Sequence, residues 1–567
     1  MSMRRFLKRH PALEHRYNGN VCFLYSSKIS ESVDLERACR ILVKSDAFNF
    51  ALCSRGALYY RSERSLACDK LLIDQSLDGR GSSVIGLDKF LACGPTDAAK
   101  MGVWKALHLL NSDSKFSNDA SSFPVRSVRI QVSPVAIRLD GDDAYSLCTP
   151  MIRLYEDGTI SVLFELLHGF EERSVAEIVS DEVNAAMRGI KSFQVNVSFY
   201  RAALEQQFAS MPLAARWHQF SAFKRLMQNA PLAPESFELG DDEYQLVELV
   251  LTDRLSLSDI ARNIILMIER SLDIGKVPQR PQRIAKQWRS RNLSGWFGKP
   301  VLIVSSHEGQ LQSAARNAAK HRLLINSVMM RSHPSAVVGM KQSELSDLRP
   351  FDDFNHYFSE GVSLVLCAGK VSTAARADDS VVLENIIADT LVLTEAAQFL
   401  QVFYSAVSDG LDGCNSSTDV ARLELKLMSL EESFFNGHRF GETQNFFNSV
   451  RSGARTSGSR LLVQQKLDVA RKALDLSEKI SSDHDTRWIT LTFGVLASAA
   501  LSPELVQPIA TVGGWHLEDE SLFKVICLLL SFVLVGSLLG ISRLIIRFLS
   551  RRRAARSLKQ SGRGVSR

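Results

Sequence analysis

Val525–Ser542 reads VICLLLSFVLVGSLLGIS and carries no charged side chain. It is about as long as a helix must be to cross a hydrocarbon core, roughly 20 residues. A second apolar stretch precedes it, Trp488–Ile509 (WITLTFGVLASAALSPELVQPI), interrupted near its outer end by Glu504, Pro503 and Pro508. Between them lies the short acidic segment Trp515–His516–Leu517–Glu518–Asp519–Glu520. No Lys or Arg occurs from Trp488 to Phe523, whereas Arg543, Arg547, Arg551, Arg552, Arg553, Arg556, Lys559, Arg563 and Arg567 follow the second stretch. Lys and Arg are retained on the cytoplasmic side of short loops, so this asymmetry puts both ends of a two-span hairpin in the cytoplasm and the acidic loop outside. The pattern predicts a multi-pass protein of the bacterial inner membrane.

Working outward, the chain has 567 residues, and all but about the last seventh precede the hairpin. With 45% hydrophobic and 23% charged residues, that region has the composition of a folded cytoplasmic part large enough for two or three domains. The net charge of +6 is supplied by the C-terminal tail alone, so it does not indicate a nucleic-acid partner; attraction to anionic lipid suffices. The nine cysteines are scattered, with no CxxC and no zinc spacing, and read as reduced, packed thiols. The basic N-terminus, MSMRRFLKRHPALEHR, lacks the apolar core of a signal peptide.

Residues 1–122 read as an α/β region, with strands at Val21–Tyr25, Phe48–Leu52 and Ala57–Tyr60 and helices at Asp34–Lys44 and Asp97–Leu110. The polar run Asn111–Ser122 offers little to bury and marks a boundary. Residues 123–300 begin with the clearest β signal. Val128–Leu139, Ala144–Tyr155 and Thr159–Leu167 alternate as a meander, turning at Asp140–Gly141–Asp142 and Glu156–Asp157–Gly158. Ser174–Val175–Ala176–Glu177 is a capping box, followed by Ile178, Val179, Val183 and Ala186 on one helical face with Val175. Ala230–Glu243 reads as a loop, and Lys276–Pro300 as a basic connector.

Residues 301–458 pass from α/β to helical. The expected elements are a strand at Val301–Ser306, a helix from Gln310 to Arg331, a strand at Val362–Cys367 and a helix at Leu383–Ser405. A further helix, with apolar steps at Val420, Leu423, Leu427, Leu430 and Phe434, is stopped by Gly437. Ser452–Ser459 breaks the run. A last helix, residues 459–487, leads into the membrane hairpin at 488–545 and the basic tail at 546–567. The fold class is therefore an α+β cytoplasmic region followed by long helices and a C-terminal two-helix transmembrane hairpin.

No GxSxG, HExxH, kinase or phosphate-loop signature is present, so no catalytic residue is assigned. An enzyme would have to assemble distant residues such as His168, His307 and Glu308. The chemistry that has a pattern lies in the hairpin. Thr490, Gly494, Ser498 and Ser502 recur every four residues, a stripe that permits close helix packing or lines a watery path in an oligomer. Gly536 and Gly540 form a GxxxG in the second span, a motif of helix contact. In a symmetric assembly the acids Glu504, Glu518, Asp519 and Glu520 would gather cations at a pore mouth.

A large cytoplasmic α/β region, long helices, a two-span hairpin, a short outer loop and a basic tail together resemble the CorA-type divalent-cation transporters. Ile489–Thr490–Leu491–Thr492–Phe493 and Ser502–Pro503–Glu504–Leu505 look like that family's membrane entry and loop. The family's Gly-Met-Asn signature is absent, since the segment between Phe493 and Pro503 reads GVLASAALS. The resemblance covers residues 460–553 and implies a homo-oligomer, a pentamer in that family, whose first span lines a divalent-cation path. Two expectations follow, different in class. One is a CorA-like ion channel or transporter regulated from the cytoplasm. The other is a membrane-anchored sensor or effector, as in bacterial defence or stress signalling. Its cytoplasmic region would bind a ligand or protein partner, and its hairpin would anchor in, or disrupt, the lipid.

Overall fold

Ser127–Glu165, the stretch with the strongest β alternation, forms the middle of a large sheet in the computed structural model. The structure describes residues 15–501 apart from 31, 46, 63–64, 76–81, 118–124, 167–168, 211–212, 229–233, 249–254, 274–293, 308–312, 339–345, 350–352, 370, 372–379, 415 and 437–440. Beyond 501 it describes only Val512, Ser521, Val525 and Ile541. Two units are distinguished, Met1–Cys414 with Ala421–Leu467, and Asn415–Val420 with Asp468–Arg567.

In chain order the first unit opens with β1 (Tyr17–Lys28), α1 (Leu35–Val43), β2 (Phe48–Cys53), β3 (Ala57–Arg61), β4 (Leu66–Lys70), the hairpin β5 (Leu72–Gln75) and β6 (Ser82–Ile85), and the helix α2 (Asp97–Phe116). Next come β7 (Ser127–Val132), β8 (Val135–Leu139), β9 (Ser146–Cys148), β10 (Met151–Tyr155), β11 (Thr159–Glu165), β12 (Phe170–Arg173) and β13 (Ile190–Val195). The helices α3 (Val197–Ser210) and α4 (Leu213–Gln228), the hairpin β14 (Glu235–Leu239) and β15 (Asp242–Glu248), and α5 (Leu257–Asp273) follow. Then come β16 (Ser294–His307), α6 (Ala314–Lys320), α7 (Arg322–Met329), β17 (Phe354–Phe358) and β18 (Ser363–Cys367). Four helices close the described chain: α8 (Ser380–Leu411), α9 (Ser417–Asn436), α10 (Gly441–Ser452) and α11 (Ala454–Leu501).

The main sheet runs β17-β18-β16-β1-β11-β10-β7-β2-β3-β4, with β12 added beside β1. Only β16 and β18 are parallel; α6 and α7 lie in the crossover between them. Strands from residues 17–70, 127–173, 294–307 and 354–367 thus share one sheet. A second sheet runs β14-β15-β13-β8-β9.

Alternation gives the main sheet two different faces. One is apolar: Phe23 and Tyr25 of β1, Ile130 of β7, Ile152 of β10, Val162 and Phe164 of β11, and Leu302 and Val304 of β16 are buried in a single cluster with Leu42 of α1 and Ile264 of α5. The opposite face carries a lateral row of polar side chains. Cross-strand register aligns Ser26, Ser161, Arg153, Arg129 and Leu52 over five neighbouring strands. This face is buried too, because α2 and α8 cover it. Glu395 of α8 accepts two bonds from Arg129 (3.0 and 2.8 Å) and one from Arg153 (2.9 Å). Asp113 of α2 faces the same guanidiniums, 2.9 Å from Arg153 and 3.4 Å from Arg129. Gln398 of α8 accepts from Ser26, which is bonded to Ser161. Lys115 and Asp389 link α2 to α8 directly at 2.5 Å.

Several sequence expectations hold. Asp34 caps α1, the Ser174–Glu177 capping box is formed, and Val175, Ile178, Val179, Val183 and Ala186 are all buried. Others are corrected. The first two arms of the meander are each two strands. Val128–Leu139 breaks at Ser133–Pro134 and Ala144–Tyr155 at Thr149–Pro150, so β7 and β10 pair in the main sheet while β8 and β9 pair in the second. Proline has no N–H for a ladder, and the two corners let one bent hairpin serve both sheets. Ala230–Glu243 is not all loop; it contains β14 and the turn into β15, with Gly240 at φ +65°. The expected helix Gln310–Arg331 is divided at His321, and the expected break Ser452–Ser459 shrinks to Gly453. Helix α2 runs six residues past Leu110 through the supposed polar boundary, because Asp113 finds its partners in the sheet.

Among the described residues one helix segment, Val382–Leu411, is long and apolar enough to cross a membrane, with hydropathy 1.4, and 94% of that window is buried inside the protein. It is the core helix α8. The two-span hairpin expected at 488–545 falls almost wholly outside the described residues; α11 carries the chain as helix to Leu501.

The arginine row yields a stability prediction. Glu395→Ala leaves two buried guanidiniums facing Asp113 alone and should cost about 3–5 kcal/mol, the range for breaking a buried ion pair. Replacing Asp113, Arg129, Arg153 and Glu395 together with apolar residues of similar volume should cost less than the single change. Denaturant unfolding followed by near-ultraviolet circular dichroism measures both; a loss under about 1 kcal/mol for Glu395→Ala would mean that water reaches the row.

Candidate functional site

The sequence-derived candidates separate by position. Thr490 is exposed on α11, and its hydroxyl donates to the Thr486 carbonyl at 2.8 Å. Thr492 does the same to Trp488 at 2.6 Å. Gly494 and Ser498 lie on the same helix, one and two steps of four residues beyond Thr490. Ser502, Glu504, Glu518, Asp519, Glu520, Gly536 and Gly540 lie outside the described residues, as do His168 and Glu308.

Of His168, His307 and Glu308, only His307 is described. It ends β16, where register sets it opposite Tyr17 at the start of β1. The junction of α6 and α7 brings in His321, whose ring centroid is 4.1 Å from that of His307 and 5.5 Å from that of Tyr17. The Tyr17 hydroxyl and His321 Nδ1 are 3.0 Å apart, and His15 meets His321 edge-on at 5.6 Å. His321 is 1% exposed and its Nε2 has no hydrogen-bond partner among the described residues. Burial, aided by repulsion from His307, His15 and Lys320, pulls its pKa down to about 3, so the ring is neutral. Nothing in the sequence flags this group: Tyr17 and His321 are 304 positions apart.

A second buried imidazole lies at the other end of the parallel pair. His356 of β17 has Nε2 3.1 Å from the Ser363 hydroxyl of β18 and stacks on Phe446 of α10 at 5.3 Å. Burial and the Lys299 ammonium hold it neutral, with a pKa of about 3. Lys299 is itself buried over the Phe358 ring, 3.1 Å from its centroid, and donates to the Ser359 carbonyl at 2.7 Å.

Among the described residues, two of the cavities lie beside the main sheet. One of about 250 Å³ lies between Ile29, Val33, Arg37 and Glu269. The other, about 230 Å³, is lined by Asp142, Arg173, Asp181, Glu182 and Arg188; burial raises the Glu182 carboxyl there. Both are below the roughly 300 Å³ at which small-molecule sites begin. Among the described residues no group of three or more His, Cys, Asp or Glu side chains is arranged to hold a metal ion. Paired and unpaired polar groups thus lie side by side in the interior of the first unit: the arginine row is bonded to carboxylates, whereas His321 Nε2 and His356 Nδ1 have no partner among the described residues. Compared with protein-family models, curated proteins and solved structures, the chain matches none.

The histidines predict an acid limit. A ring held neutral in the folded state leaves the unfolded chain to take up protons first, as pH falls through about 6.5. Stability is then lost from there down to about pH 3, at about 1.4 kcal/mol per pH unit for each histidine. His321→Gln should flatten that decline by one such increment between pH 6 and 4, read from denaturant midpoints across pH. An unaltered slope would show that His321 is solvated in the folded protein.

Proposed function

We propose that this chain is an integral protein of the inner membrane, with its α+β unit as a cytoplasmic sensing or effector module and its C-terminal segment as the anchor. The observation that carries this reading is helix α11. It continues without interruption past Arg487 into Trp488–Leu501, where Ile489, Leu491 and Phe493 are 56%, 58% and 69% exposed. Ile489 and Phe493, four residues apart, share one side of the helix, and Leu491 points to the opposite side. An apolar surface exposed on opposite sides is what lipid accepts and water does not. Thr490 and Thr492 agree, because hydroxyls returned to their own helix carbonyls leave no unsatisfied donor in hydrocarbon. The charge asymmetry around residues 488–567 supports a hairpin with both ends inside.

One observation favours a second reading. Thr490, Gly494 and Ser498 share a face of α11, and in a closed oligomer that face would line a CorA-like cation path. The full-length protein in nanodiscs separates the two. The anchor reading expects a monomer or dimer by native mass spectrometry, resistance to alkaline extraction and no cation flux. A pentamer whose flux is abolished by Ser498→Leu, with assembly unchanged, would establish the channel instead. Release of the full chain by alkaline carbonate would sink both.

A further inference from the structure

Cys39 and Cys53 read in sequence as two of nine scattered thiols, yet the fold places their sulfurs 3.6 Å apart. Cys39 lies on the buried face of α1, beside Ala38 and Leu42. Cys53 is the last residue of β2, two positions from Ala51 and so on the same face of the sheet, the one that α1 covers. Cys39 is fully buried, whereas Cys53 is half-buried at the end of its strand. A third cysteine, Cys68, is exposed on β4, opposite Tyr59 of β3.

We propose that Cys39 and Cys53 are a peroxide-responsive thiol pair that closes into a reversible disulfide between α1 and β2. Closure needs the sulfurs to approach by about 1.6 Å, to the 2.0 Å of a bond, a motion that two side-chain rotations can share. The roles of the two sulfurs differ. The Cys39–Cys53 hydrogen bond and the Arg126 guanidinium nearby hold the Cys53 pKa below the usual thiol range, against burial and Glu36. Cys53 therefore has the greater thiolate share of the two and is the more accessible sulfur, the combination that peroxide attacks. Cys39, its pKa raised by that hydrogen bond and by burial, is the resolving thiol.

The steps balance. Cys53 Sγ, as thiolate, attacks one oxygen of hydrogen peroxide; the O–O bond breaks, Cys53 becomes a sulfenic acid, and the other oxygen leaves as hydroxide, which takes a proton from solvent to become water. Cys39 Sγ then attacks the Cys53 sulfur. The S–O bond breaks, the hydroxide takes the Cys39 proton and leaves as a second water, and the disulfide forms. A thiol reductant reverses it. Such a pair suits a reducing compartment, where disulfides are transient and responsive.

The test is peptide mapping of the full-length protein after brief hydrogen peroxide treatment and alkylation of the remaining thiols. The expected result is a Cys39–Cys53 linked peptide that dithiothreitol removes, persists in Cys68→Ser, and is lost in Cys53→Ser. In Cys39→Ser the sulfenic acid should remain on Cys53 and be trapped by dimedone. Alkylation of both Cys39 and Cys53 after peroxide would overturn the proposal, as would a link from Cys53 to Cys68 in place of Cys39. The wild-type map decides the matter even if a serine variant folds poorly.

Discussion

The fold depends on two arginines that have no route to water. Arg129 and Arg153 stand side by side in the middle of the main sheet, on a face that helices must cover for the strands to be buried at all. Burying two adjacent cations is prohibitive unless both are paired and hydrogen-bonded. Two carboxylates from different parts of the chain meet that demand. Burial pushes the Glu395 carboxyl upward, but both guanidiniums outweigh it and hold it below its usual range. Asp113, less completely enclosed by donors, is raised by burial against the same two partners. The geometry this imposes is stringent. Helix α2 can pack only where Asp113 reaches the row, and α8 only where Glu395 does, so helix register follows from charge rather than from apolar contact alone.

The two faces of the sheet consequently do different jobs. The apolar face joins α1, α5 and the second sheet through side chains that tolerate small displacements. The polar face tolerates few, since each hydrogen bond there has a direction as well as a length. The imidazoles follow the same economy. His321 and His356 stay neutral because each has a neighbour for one nitrogen and too little water for a charge. The result is a unit whose helices are fixed on the sheet by directional contacts.

Local chemistry was legible in the sequence. Asp34, the Ser174–Glu177 box and the Asp–Gly turns at 140–142 and 157–158 fix their own neighbourhoods, and the structure forms each as read. The alternation of Ser127–Glu165 announced strands, but not that Pro134 and Pro150 would send their halves to different sheets, since a proline alone does not say which sheet comes next. Asn111–Phe116 looked like a boundary because a polar residue signals solvent unless its partner is known, and the partners of Asp113 lie on β7 and β10. The histidine cluster and the Cys39–Cys53 contact were invisible for the same reason. Each joins elements whose approach is a property of the whole sheet. The stripe from Thr490 was legible as a pattern, and only Thr490 itself has its surroundings described.

Helix α8 also has a history written into its position. Glu395 follows Arg153 by 242 residues, so a ribosome adding about 5–20 residues per second spends roughly 10–50 s between making the cation and making its partner. For that interval the arginine face of the nascent sheet is open and hydrated. When α8 does emerge it has the length and greasiness of a membrane helix. Competition between the waiting sheet and the insertion machinery is then settled by Glu395, Gln398 and Asp389, polar groups that bilayer penalises and the arginine face rewards. The charge row is in this sense an address label, directing one greasy helix to the sheet rather than to lipid.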